Sequence, residues 1–378
     1  MSQPFLPFAR PSIDEAMASA IADTLMSRWI VTGPRAAEFE KALSARFGGR
    51  PVRAVTSATA AMQLALEALG VGPGDEVITP AQSFFATANV IARTGARVVF
   101  TDVDLVTRNI DLAQAAAAVT PRTKVLLPTH YNAPLDPDAL DAFRRRHHVR
   151  VIEDAALAIG STTRRGPVGA TGDIVSFSFH PNKNMTTIEG GALVLDAPTE
   201  IAKIEQLRFH GIERLDDGTR DVSTPGSKYN FSDVSARLGL EQLARLDAWC
   251  KRRAELAARY FRCLEGHDLL TPERLPPRDN PGHSWNMFTV LLPLESMGRS
   301  RKDFIESMRT AGIGIGISYE AIHLTKYFRS LGHREGEFPV SERIARETVT
   351  LPLFPEMREA DVERVCEAMD AALRRKAA

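Results

Sequence analysis

Ser176-Phe177-Ser178-Phe179-His180-Pro181-Asn182-Lys183-Asn184-Met185-Thr186-Thr187-Ile188-Glu189-Gly190-Gly191 is the stretch that decides how this chain is read. An apolar run, Ile174 to Phe179, predicts a strand, and a polar turn after it presents one lysine. Gly190-Gly191 follow, and a second strand, Ala192 to Leu195, leaves. The ordinary reading of a loop lysine is a solvated surface charge. Here, small and β-branched neighbours crowd the residue, and burial disfavours an ammonium ion. A lysine that gives up its proton readily can form a Schiff base with an aldehyde cofactor.

The upstream segment Val149-Arg150-Val151-Ile152-Glu153-Asp154-Ala155-Ala156 reads as a buried strand ending in a carboxylate. In open α/β sheets, ligands gather beyond the carboxyl ends of the strands, so Asp154 stands where a ligand would be met. By itself, Asp154 is equally well read as a helix cap. Paired with a strand-end lysine it suits pyridoxal phosphate, whose ring nitrogen stays protonated beside an anion. A third segment would hold the phosphate. Val52 to Val55 predicts a short strand, and Thr56-Ser57-Ala58-Thr59-Ala60-Ala61 opens a helix with small residues. Such an opening offers free N–H groups and a favourable dipole to an anion, and Thr59 adds a hydroxyl. Ser/Thr caps also begin many helices that bind nothing. Phe84 reads either as a core aromatic or as a face to stack on a cofactor ring.

Phosphate turn, aromatic, aspartate and lysine, in that order, resemble the aspartate-aminotransferase fold, fold type I of the pyridoxal enzymes. Over nearly its whole length the chain is similar to the DegT/DnrJ/EryC1/StrS family of nucleotide-sugar aminotransferases. The segments that carry the resemblance are Phe5 to Pro11, Trp29 to Pro34, Gly74 to Pro80, Ser178 to Gly191, Lys228 to Asp233, Leu238 to Leu243 and Leu351 to Pro355. The resemblance implies an α/β chain with a mostly parallel central sheet in a large domain, 1–245, and a smaller C-terminal α/β domain, 246–378. It implies that Lys183 attaches pyridoxal 5'-phosphate and moves the substrate proton, and that Asp154 pairs with the ring nitrogen. Phe84 would stack on the ring. Thr59, Ala60 and Ser178 would hold the phosphate, and Asn230 would reach it from the neighbouring subunit of a homodimer. His323 and Tyr319 fall in the segment that lines the sugar site in relatives.

The resemblance further implies a nucleotide-sugar substrate and L-glutamate as amino donor, leaving 2-oxoglutarate. The Phe5 to Arg10 opening and Tyr319 to Tyr327 are similar to members that aminate C4 of a UDP-sugar, which would feed lipopolysaccharide or another surface glycan. Amination at another carbon or of a cyclitol ketone, or a sensor that binds without catalysis, are the other readings. A branch of the family lacks the lysine and dehydrates instead; Lys183 argues against that chemistry here. Several positions depart from the family pattern. Leu157 replaces a Gln or His three residues after the aspartate, and Ile188 replaces a Gly. Ser318 and Asn286 stand where many members have His.

Composition fits a soluble enzyme. A chain of 378 residues can bury a large core. Lys+Arg and Asp+Glu are equal at 47 each, so charge gives no case for nucleic acid or an anionic membrane surface. The three cysteines, Cys250, Cys263 and Cys366, are scattered, which suits a reducing compartment without disulfides. Met1 to Arg10 lacks the apolar core of a signal peptide, no run is long enough to span a membrane, and a cytoplasmic location is expected. Strand candidates at Val77-Ile78, Val98 to Phe100, Val125 to Leu127 and Val151-Ile152 alternate with Ala-rich helical stretches, the signature of a parallel sheet flanked by helices. A long helix is expected from Asp233 to about Leu264, with a break near Trp249.

Overall fold

Short β-branched runs separated by alanine-rich helices can bury both faces of a strand only inside a helix-covered parallel sheet. The chain folds in that way. A computed structural model describes residues 4–374. The helices α1 (Glu15–Met26) and α2 (Pro34–Arg46) precede the sheet. Then β1 (Val52–Val55), α3 (Ala58–Ala68), β2 (Glu76–Pro80), α4 (Phe85–Arg93), β3 (Arg97–Thr101), α5 (Leu112–Ala117), β4 (Thr123–Leu126), α6 (Pro137–His147) and β5 (Arg150–Asp154) follow in alternation. A small hairpin, β6 (Thr162–Thr163) and β7 (Gly166–Pro167), leads to β8 (Ile174–Ser178) and β9 (Gly191–Val194). The seven-stranded sheet has the order β1-β9-β8-β5-β4-β2-β3. Every pair is parallel except those made by β9, which runs against both β1 and β8.

That topology gathers the carboxyl ends of β1, β2, β4, β5 and β8 on one side. The register sets Asp154 opposite Ser176, and Ser178 and Val55 both opposite Gly191. The glycine pair has a steric reason. A Cβ on Gly191 would lie 2.4 Å from the Ser57 carbonyl carbon and 2.5 Å from the Ala58 nitrogen. A Cβ on Gly190 would lie 2.1 Å from Thr187 Oγ1. Only glycine at 191 lets β9 run this close to the start of α3.

Downstream lie α7 (Pro198–Leu207), an exposed hairpin of β10 (Ile212–Arg214) and β11 (Arg220–Val222), and α8 (Asp233–Leu243). The expected long helix is two helices. It breaks at Ala244-Arg245, earlier than Trp249, and α9 (Leu246–Cys263) resumes with Leu246 still packed on the large sheet. From Leu256 onward α9 belongs to a separate apolar core, with β12 (Phe288–Leu291), β13 (Thr348–Leu351) and the helices Arg301–Thr310 and Glu359–Arg374. Leu6 joins this core from the other end of the chain. The basic cluster Arg144 to His147 forms the last turn of α6, where it complements the helix dipole.

One carboxylate fastens the start of α2 to α8. The N-cap of α2 is Gly33, which has no side chain to offer. Asp233, buried at the start of α8, substitutes for it. Its Oδ1 accepts from the N–H groups of Gly33 (2.8 Å) and Ala36 (2.9 Å), and Oδ2 accepts from that of Arg35 (3.1 Å). Asp233→Ala is therefore expected to cost about 2–3 kcal/mol, since it strips the acceptor from three backbone donors, of which the Ala36 N–H is buried. Urea unfolding of the variant measures it, and a loss under 1 kcal/mol would show that water replaces the carboxylate.

Candidate active site

The helix α3 begins immediately after β1. Ser57 caps it by accepting the Ala60 N–H at 3.0 Å. The N–H groups of Ala58 and Thr59, in the first turn, have no helical acceptor and are left at the open end. Thr59 is exposed there, and Ser178 at the tip of β8 lies beside it in the cavity wall. Ala60 itself is buried and does not line the cavity; its N–H is occupied by Ser57.

The cavity is about 260 Å³ and opens between these strand ends. Thr59, Phe84, Asp154, Ser178, Lys183 and Tyr319 all line it. Phe84, 52% exposed, stands at its mouth because α4 starts at the next residue and the ring has no core to enter. Tyr319 meets that ring edge-on, with centroids 5.5 Å apart. The tip of β5 delivers Asp154 into a fully buried position. Desolvation raises its pKa, while bonds from the Ala156 N–H (3.1 Å) and Thr87 Oγ1 (3.0 Å) and the charge on Lys183 oppose that rise.

Lys183 sits on a turn closed by its own N–H to the His180 carbonyl at 2.9 Å. The base of the loop is fixed by the Phe179 N–H to Gly190 and the Thr187 N–H to Phe179. Desolvation lowers the amine to about 8, against the pull of Asp154. A buried acid held up and a partly buried amine held down face one cavity, which is the arrangement of a proton-handling site.

Asp154 is supported by hydroxyls that sequence reading did not single out. Thr87 Oγ1 donates to it, Ser83 Oγ lies 3.0 Å from Thr87 Oγ1, and Thr129 Oγ1 lies 3.0 Å from Ser83 Oγ. Each hydroxyl has one proton, and Thr87 commits its own to Asp154. Ser83 must then donate to Thr87, and Thr129 to Ser83. The signal was present as three hydroxyl residues just past the tips of β2 and β4, but it required the strand order to interpret.

One residue expected in the sugar site lies elsewhere. His323 is fully buried in a one-turn helix, Ile322–Leu324, where its Nε2 meets Glu342 Oε1 at 3.1 Å and its ring packs on Phe100 and Phe338. It does not reach the cavity, because that turn aims it into the core. Asn230 bridges to Val55 beside the tip of β1, outside the cavity lining, and donates to Thr32 Oγ1 at 2.5 Å. Of the departures, Leu157 is buried in the cavity wall and adds an apolar surface there. Ile188 occupies the left-handed region at φ 74°, a conformation a β-branched side chain resists.

The model of the DegT/DnrJ/EryC1/StrS aminotransferase family matches residues 11–370. The chain belongs to that family. It is thus a pyridoxal-phosphate-dependent aminotransferase of fold type I. Solved structures agree along the full length of this aminotransferase. The aminotransferase TlmJ from Streptoalloteichus hindustanus is 32% identical with a TM-score of 0.89, covering 97% of this chain and 98% of its own. DesV from S. venezuelae, in complex with a ketimine intermediate, is 31% identical with a TM-score of 0.89, covering 99% and 100%. DesI, in the presence of its TDP-sugar product, is 29% identical with a TM-score of 0.88, covering 99% and 94%. The cavity suits the cofactor chemically. It has a helix N-terminus for the phosphate, an aromatic face, a buried carboxylate and an amine close to neutrality.

Thr87→Val keeps the shape and removes the donor to Asp154. It is expected to lower kcat/KM by about tenfold, as for the loss of one hydrogen bond to a charged group; steady-state kinetics will show it, and wild-type values would make the hydroxyl chain incidental. Ile188→Gly is expected to stabilise the aminotransferase by about 1 kcal/mol by relieving the positive φ. Chemical denaturation of the two proteins side by side checks this, and a lower midpoint would contradict the strain.

Proposed function

We propose that this aminotransferase moves an amino group from L-glutamate to the keto group of a nucleotide-sugar, with Lys183 as the proton-moving amine. The observation that carries the reading is the shared cavity of Lys183 and Asp154, in which burial shifts the two in opposite directions. The bound cofactor supplies an electron sink that makes the proton on the substrate carbon labile. Lys183, near neutrality, takes that proton from one carbon and returns it to another. Asp154, ionised beside the ring nitrogen and held by Thr87 and the Ala156 N–H, keeps the sink charged. The open N–H groups of Ala58 and Thr59, with the Thr59 and Ser178 hydroxyls, orient the phosphate. Phe84 and Leu157 add apolar surface to the cleft.

A sugar substrate is favoured by the similarity to DesI, whose structure carries a TDP-sugar product. Tyr319 also offers a phenol to the cavity. The resemblance of the segments around Phe5 and Tyr319 favours C4 of a UDP-sugar, and with it a role in surface glycan or lipopolysaccharide synthesis.

The active unit in this reading is a homodimer in which Asn230 reaches the partner's phosphate site. Supporting it, Met26 (81% exposed), Trp29 (57%) and Val31 (65%) present apolar side chains to solvent near the α2 entry, more than a monomer of this size needs. The expected division into 1–245 and 246–378 is kept as a proposal; the change of core along α9 supports it. A cytoplasmic setting is in keeping with three free cysteines among the described residues. Among those residues no helix is long and apolar enough to cross a membrane.

With pyridoxal phosphate the protein is expected to show the visible absorption of a lysine-bound cofactor. L-glutamate should bleach that absorption and release one equivalent of 2-oxoglutarate. Lys183→Ala should lose both signals and retain its circular dichroism; turnover in that variant would refute the assignment. A keto-sugar screen over UDP- and TDP-linked substrates then reads the nucleotide and the carbon aminated.

A further inference from the structure

The turn that carries Lys183 is bonded mostly to itself. Among the described residues, the only hydrogen bond from residues 180–183 to another part of the fold is the one received by the Asn182 carbonyl. Its donor is Asn286, in the loop that enters β12 of the C-terminal core. Asn286 Nδ2 donates to Asn182 O at 3.1 Å and to Asn184 Oδ1 at 3.2 Å. Both protons of one amide are spent on the two neighbours of Lys183. Asn184 is in turn saturated: its Nδ2 donates to Ser284 O at 2.9 Å and to Ile159 O at 3.3 Å.

The loop that holds Asn286 is itself anchored. Arg253, buried in α9, donates to Leu353 O at 2.6 Å and, at 3.4 Å, to the carbonyls of Trp285 and Asn286. No carboxylate pairs with this guanidinium among the described residues; it serves backbone oxygens from two segments. Asn286 and Asn184 are both nearly fully buried. Water is therefore poorly placed to replace either bond.

The geometry points to Asn286 as the positioning residue for Lys183, setting the amine's place in the cavity from the C-terminal core through the residues on either side of it. This rests on the reading of Lys183 as the reactive amine. The side-chain type matters. Two acceptor oxygens face Asn286, so the position needs two donors on one atom. A neutral histidine offers one N–H and can serve only one of the oxygens. An aspartate offers none and would set a third oxygen against the other two.

The test uses the full-length protein without cofactor, so that Lys183 can be read directly. Its acylation by acetic anhydride, followed by peptide mass spectrometry against pH, gives the titration of the amine. Asp154, His180, Glu189 and Tyr319, which line the same cavity, are present in every variant. Wild type is expected to half-titrate near 8. Asn286→Ala and Asn286→Asp are expected to move that midpoint upward by a unit or more as the turn loosens and the ammonium gains water. In the loaded enzyme they should lower kcat by at least about tenfold while KM stays within about twofold. Asn286→His, keeping one bond, should fall between.

An unchanged lysine midpoint in both Ala and Asp variants would overturn the inference, whatever happens to thermal stability. So would a KM effect without a kcat effect. A wild-type Lys183 that titrates like an ordinary lysine would instead refute the reading of Lys183 on which the inference rests. The two failures are thus told apart in one experiment.

Discussion

Everything in the site depends on desolvating one amine and one carboxylate in the same cavity. Water would hold Lys183 fully charged, with no free electron pair to accept a proton, and would weaken the pull between Asp154 and a cation beside it. The sheet removes that water by placing the tips of β5 and β8 side by side. The fold then compensates: two hydrogen bonds sustain the carboxylate, and the opposite charges attract. The balance is local, but its supports are not. Thr87 comes from α4, Gly191 from β9, and the loop around Asn286 from the other core.

The N-terminal segment follows the same logic of borrowed partners. Gly33 cannot cap α2, and Asp233 does so from 200 residues away in sequence. Arg108 is another case. It is buried with no carboxylate partner among the described residues, and donates to Thr348 Oγ1 at 2.8 Å. Thr348 Oγ1 and the Tyr131 hydroxyl in turn donate to the Ser318 carbonyl, one residue before Tyr319. The residue that presents a phenol to the cavity is thus held through the large sheet's loops and β13 together. Such ties make the two cores one working unit at the cleft.

How much of this could be read beforehand depended on sequence distance. The strands from Val52 to Leu195 and their flanking helices were legible because periodicity and alanine-rich spacing act over ten residues. Asp154 and Lys183 were legible because strand tips are where such sheets bind ligands. The antiparallel course of β9 was not, since a strand's direction depends on its partners. Asn286 was visible only as a departure from a family pattern, and its role emerged once the Lys183 turn was seen to lack other ties. His323 shows the opposite limit. Its segment resembles one that lines a sugar site, yet a single helical turn directs the ring toward Glu342 and Phe338. Side-chain direction over one turn is set by packing that spans the chain.

The hydroxyl series at Asp154 has a further consequence. Thr129, Ser83 and Thr87 hold three protons that all point toward the carboxylate only while it is an anion. If Asp154 took a proton and donated it to Thr87, each hydroxyl would have to rotate, and the line would point outward to Thr129 at the cavity wall. The series therefore has two senses, set by the charge on Asp154. Reversing it means turning three buried rotors at once, so the charge on Asp154 resists brief disturbance during each turnover. A site that alternates between two forms of its cofactor keeps one electrostatic reference fixed throughout.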